Sequence, residues 1–246
     1  MRLKKLLVII ACVVLLFVSY LTVTDGDDST YEFRGKSYKI IEVDGGDLSG
    51  ERLPNVAVDI GFGDREYWGL TNEYGQLVYV IADKIILQDD ETEPVNSKGR
   101  YYNDEAKVPG VERPDLDEGH VIADALGGVS NAYNITPQNS IQNRHGDQAY
   151  MEKMIRDAGG CENFIATITY PDTETQIPSR YRYEYILKGK KIIDEFENVD
   201  PDEVNGAISK MNRLEDSLAM YRQKKSSQSD CSFFVSFSWS SYELFL

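Results

Sequence analysis

The stretch DEGHVIADALGG, Asp117–Gly128, followed by NITPQNSIQNRHGDQAYMEKM, Asn134–Met154, carries most of the information in this chain. It sets His120 behind a glycine, Asn134 and Asn143 14 and 23 residues further on, and then Glu152 and Arg156 at helical spacing. His120 is one of only two histidines, so a proton-transfer role has few other candidates. Gly119 lets backbone or an anion come close. A neutral imidazole can take a proton from water near neutral pH. The amide oxygen of Asn143 is a hard ligand suited to Mg²⁺, an ion that keeps several waters and takes other ligands from phosphate oxygens. Glu152 and Arg156 stand four residues apart, so one helix face offers a carboxylate to order a metal's water shell and a guanidinium to hold a phosphate oxygen. Together these groups suit hydrolysis of a phosphodiester beside one divalent ion. Each also has a plainer reading: Asn134 and Asn143 as turn residues, Glu152 and Arg156 as a surface ion pair of little energetic weight, His145 as an exposed loop histidine.

The ordered set resembles the DNA/RNA non-specific endonucleases of the ββα-metal (His-Me finger) group. Members show Asp-Arg-Gly-His, then Asn-x-x-Pro-Gln, then a metal-binding Asn, then a helix with Glu and Arg. The matching residues here are Asp117-Glu118-Gly119-His120, Asn134-Ile135-Thr136-Pro137-Gln138, Asn143, Glu152 and Arg156. The resemblance is firm over residues 110–160 and loose beyond them. It implies a catalytic set of His120, Glu152 and Arg156, with Mg²⁺ (Mn²⁺ as a substitute) on Asn143 and no small-molecule cofactor. Substrate contacts are expected from Arg113, Arg144 and Asn134, the last also as a residue that orients the site. The implied reaction is attack of water on phosphorus in DNA and RNA, leaving 5′-phosphate and 3′-hydroxyl ends. Glu118 departs from the pattern, standing where better-known members carry Arg; Arg113 or Arg144 is the expected stand-in cation. A catalytically impaired surface binding protein and a secreted nuclease toxin are the alternatives on the same fold.

The ends of the chain differ from its middle. Arg2, Lys4 and Lys5 precede an apolar run from Leu6 to Val23, the pattern of an export segment. Residues 1–24 therefore read as a cleaved signal peptide or as a retained membrane anchor, giving a secreted or surface-anchored protein, bacterial in type. All 41 acidic residues lie after this segment against 23 basic ones, a net of −18. That balance argues against a stable DNA-binding protein, which needs a basic footprint, more than against an enzyme that must release its polymer. Outside the cytoplasm Cys161 and Cys231 can pair or remain thiols. The tail 226–246 is Ser-rich, then apolar.

Between the ends, residues 25–225 read as one domain of α+β class, a central antiparallel sheet flanked by helices and carrying the ββα-metal motif within 110–160. Short strands are expected over YEFRGKSYKIIEV, VAVDIGFG and QLVYVIADKIIL, where β-branched and aromatic residues lie between turn residues. Tyr101–Tyr102 can open another strand, Val121–Ala125 reads as a short buried one, and AYNITPQ as one ended by Pro137. Asp147–Ala158 has helical periodicity and a Gly159–Gly160 stop. FIATITYP and YRYEYILKGKKIIDEFENV read as three strands with a hairpin at Gly189. Pro201–Gln223 reads as a closing helix behind Asp200.

Overall fold

The computed structural model describes residues 29–203, 206, 209–220 and 222. Residues 1–24, which the sequence reads as a signal peptide or anchor, the tail 226–246 and Cys231 lie outside them. No helix among the described residues is long and apolar enough to cross a membrane. The chain divides into two units at Asn198–Val199, so the single domain expected over 25–225 meets a boundary just after the last strand. In the second unit the described residues between 201 and 222 are helical, and the Asp200 carboxylate accepts a hydrogen bond from Asp202 N at 2.8 Å.

The first unit is α+β. Eight strands form one sheet: β1 (Thr30–Phe33), β2 (Lys36–Ile40), β3 (Val56–Asp59), β4 (Tyr67–Thr71), β5 (Leu77–Ile85), β8 (Cys161–Thr169), β9 (Arg180–Leu187) and β10 (Lys190–Glu197), in spatial order β1-β2-β3-β4-β5-β8-β9-β10. All neighbours are antiparallel except β2 and β3, so the sheet is mixed rather than wholly antiparallel. Two-residue turns close the outer hairpins. Arg34–Gly35 (φ 51° and 77°) and Lys188–Gly189 (φ 50° and 78°) take left-handed backbone, which matches the twist of the flanking strands. The first of these turns breaks the stretch Tyr31–Val43 into two strands.

A separate ribbon, β6 (Leu116–His120) paired antiparallel with β7 (Ile135–Asn139), is followed by helices α1 (Ser140–His145) and α2 (Asp147–Ala158). Here the structure corrects the sequence reading by a few residues. The strand expected over Val121–Ala125 lies earlier and delivers His120 as its last residue, while Asp124–Leu126 turn as a 3-10 helix ending at Gly127 (φ 87°). β7 runs through Pro137, which a two-stranded ribbon tolerates because both strands are edges. Tyr101 and Tyr102 form no strand; Tyr101 stacks on Phe62 instead, with ring centroids 3.7 Å apart.

Helix α2 has the expected bounds, stopped by Gly159 (φ 84°). It buries Gln148, Met151 and Ile155 against the sheet, where Phe164, Tyr183 and Val80 belong to the same apolar core as Ile122, Leu126 and Ile135. The ribbon and its helices are thus fixed to one face of a broad sheet. A smaller cluster, Tyr38, Ala57, Leu70 and Ile81, forms a second core.

Candidate active site

Side chains two residues apart on a strand share a face. Glu118 and His120 therefore project together from β6, and both line a cleft of about 250 Å³ completed by Arg100, Glu105, Ala123, Asp124, Asn143 and Glu152. Strand, 3-10 turn, α1 and α2 each contribute, together with the 88–107 loop.

The His120 side chain is 11% exposed. Its Nε2 lies 3.3 Å from Ser130 Oγ and 3.6 Å from Asp124 Oδ2. Burial lowers its pKa below the ordinary imidazole value; the Asp124 charge works against that shift and Arg100 with it. The shift favours the neutral ring, the form that accepts a proton.

Asn143 reaches the cleft from α1, a helix capped by Asn139, whose side-chain oxygen accepts from Ile141 N and Gln142 N at 3.0 and 3.1 Å. The Asn143 amide donates through Nδ2 to Asp117 Oδ2 at 3.3 Å. Asp117 is the joint between ribbon and helix, since it also accepts from Ser140 Oγ at 3.0 Å and from both ends of the Arg144 guanidinium. With its nitrogen committed, Asn143 retains its amide oxygen as a hard donor. The other oxygens around it, on Glu118, Asp124 and Glu152, are hard as well, and the cleft has no sulfur donor. Such a donor set fits Mg²⁺ or Mn²⁺. Among the described residues no three His, Cys, Asp or Glu side chains group as a metal cluster.

Glu152 is half-buried, and burial pushes its pKa up to about 7; Gln148 and Arg156 pull the other way and Asp124 adds to the rise. Gln148 donates through Nε2 to Glu152 Oε1 at 2.7 Å and to the His120 carbonyl at 3.3 Å, so one buried amide ties α2 to the end of β6. The surface ion pair that is the plainer reading of Glu152 and Arg156 does not form, since Glu152 bonds Gln148 instead. Arg156 is exposed, lies outside the cleft lining and acts on Glu152 only through its charge.

Arg113, Arg144 and Asn134, from which substrate contacts are expected, do not line this cleft. Asn134 is fully buried and its amide is fully used: Oδ1 accepts from Ile122 N at 2.9 Å, and Nδ2 donates to Ile122 O and Val129 O at 2.8 and 2.7 Å. It pins the loop after His120 and has no group left for a ligand. Arg113 pairs with Asp115 and Arg144 with Asp117, and neither lines the cleft that holds Glu118. The positive charge beside Glu118 is the Lys107 ammonium, which pairs with it directly. Within the cleft the cation is Arg100, paired with Glu105, its Nε 3.7 Å from Asp124 Oδ2. Arg100, Asp124, Gln148 and Lys107 have no spacing signal that the sequence reading could use, because the fold brings them from separate segments. His145 is exposed at the end of α1, as expected.

Gly119 does allow a close approach, but the approaching group is the Gln138 side chain. A Cβ at Gly119 would lie 2.5 Å from Gln138 Cβ and 2.3 Å from its Oε1.

The profile of the DNA/RNA non-specific endonucleases matches residues 66–189, half of the chain. Two of the solved structures that align with it are of one protein. NucA from Streptococcus agalactiae with magnesium ion bound aligns at 16% identity and a TM-score of 0.43, over 74% of this chain and 90% of that one. The same protein with no metal bound gives 16% and 0.41, over 74% and 88%. No curated protein matches in sequence.

Proposed function

The chain belongs to the DNA/RNA non-specific endonuclease family, and on that premise we propose that it hydrolyses the backbone of DNA and RNA with His120 as general base beside a divalent ion held at Asn143. One observation carries this reading: His120, Asn143 and Glu152, from a strand and two helices, line the same small cleft. Neutral His120 takes a proton from the attacking water. Asn143 offers its amide oxygen to Mg²⁺, and Glu152 orders the water around that ion. A bound Mg²⁺ supplies Lewis acidity at the phosphate oxygens and offsets the charge that builds there. Arg100 and Lys107 hold phosphate oxygens, the role that sequence reading gave to Arg113 and Arg144. Contacts of this kind read the backbone and not the bases, so little sequence preference is expected. In this reading residues 1–24 export the protein, which then works outside the cell.

A catalytically impaired binding protein on the same fold, suggested by Glu118 where the family pattern has Arg, would hold nucleic acid without turnover. The shared cleft of His120, Asn143 and Glu152 favours turnover. Plasmid DNA and structured RNA incubated with the purified protein, with Mg²⁺ and with EDTA, separate the two. Degradation that EDTA abolishes, and that Asn143→Ala reduces at limiting Mg²⁺ but recovers at high Mg²⁺, supports the enzyme. Binding without degradation under Mg²⁺ and Mn²⁺ supports the binding protein.

A further inference from the structure

Two acceptors face the same nitrogen of His120, and they constrain it differently. Ser130 Oγ, 3.3 Å from Nε2, can donate to that nitrogen or accept from it. A carboxylate can only accept, and Asp124 Oδ2 stands 3.6 Å away on the same edge of the ring. Asp124 is not free to turn aside. Its other oxygen accepts from Tyr101 N at 3.2 Å, the side chain is 11% exposed, and it sits in the 3-10 turn closed by Gly127. A bare lone pair on Nε2 would face a negative oxygen, whereas a proton there meets two acceptors.

We propose that Asp124 is a positioning residue that fixes the proton of neutral His120 on Nε2, so that Nδ1 is the nitrogen that accepts a proton from water. Ser130 then accepts from Nε2–H. The inference rests on the general-base reading of His120 for its catalytic meaning, though the tautomer itself is independent of activity. The carboxylate also stabilises the imidazolium formed when Nδ1 takes its proton, against the burial that opposes it. The other charged groups around the ring are Arg100, which disfavours that imidazolium, and the carboxylates Glu105, Glu118 and Glu152 of the cleft.

The test is ring-nitrogen NMR on the whole protein with labelled histidine, at a pH where His120 is neutral and with EDTA present. The chain has two histidines, so His145→Ala assigns both signals. Wild-type protein is expected to show His120 as the Nε2–H tautomer, and Ser130→Ala to keep it. Asp124→Asn, whose amide can donate to Nε2, is expected to give mixed or Nδ1–H tautomer and a lower His120 titration midpoint. Its cleavage should fall at least about tenfold in kcat with KM little changed, and the acid limb of its pH profile should move down. An Nδ1–H tautomer in the wild type overturns the proposal without recourse to any variant. So does an unchanged tautomer in folded Asp124→Asn. Absence of cleavage by wild-type protein would instead count against the general-base reading, and the spectrum would still decide the role of Asp124.

Discussion

At the scale of single residues, the cleft sets two titrating groups against their surroundings in opposite ways. Burial makes His120 more acidic and Glu152 more basic than in water, so both are more readily neutral. For Glu152 this carries a consequence for stability. Its folded pKa, up to about 7, exceeds the unfolded value, so between roughly pH 4.5 and 7 the folded state binds the extra proton and stability falls as pH rises. Glu152→Gln removes that loss. With EDTA present, its melting temperature should exceed that of wild type by roughly 3 °C or more at pH 8 and differ little at pH 4. An equal difference at both pH values would show that burial of the charge is not its cause. Activity should move the other way, falling at least about tenfold, because the uncharged amide no longer orders the metal's water.

At the scale of elements, the ribbon β6–β7 and its joints to α1 and α2 set the geometry of the site. Asn134→Ala would leave Ile122 N, Ile122 O and Val129 O without their buried partner, a loss of about 2–4 kcal/mol that a denaturant melt can measure. Gly119→Ala would press a methyl group into Gln138 and force the ribbon apart, costing about 1–3 kcal/mol and at least about tenfold in cleavage by displacing His120. Both effects belong to positions that the sequence reading singled out for substrate or metal chemistry. Periodicity located α2 to the residue and the strands on either side of Gly189, because long regular segments and left-handed turns leave local signals. The ribbon was legible only as an ordered motif. Its strands are short, one contains proline, and Gly119–His120 is paired by a partner 15 to 17 residues away, so no local pattern marks where β6 begins. Asp124 and Gln148 carry no local signal as parts of the site for the same reason, and Asp117 is legible only as a member of the motif. Their roles arise from contacts between β6, the 3-10 turn and the helices.

At the scale of the whole molecule, the chain carries a net charge of −15, which repels nucleic acid except where cations are presented locally. Arg100 and Lys107 are the cations that the structure brings to the cleft and its margin, each already paired with a carboxylate. Binding should therefore release few counterions. The dependence of log K on log salt is expected to have a slope of about −1 to −2, and Lys107→Ala should make it shallower by roughly one. A steep slope would mean that a basic surface outside the cleft carries the binding. Catalysis turns on His120, and the decisive measurement is plasmid cleavage by His120→Ala beside wild type at saturating Mg²⁺. Loss of at least about a hundredfold in rate is expected, with an unchanged melting curve and Mg²⁺ binding retained. Cleavage at the wild-type rate by the folded variant would contradict the assignment of the base.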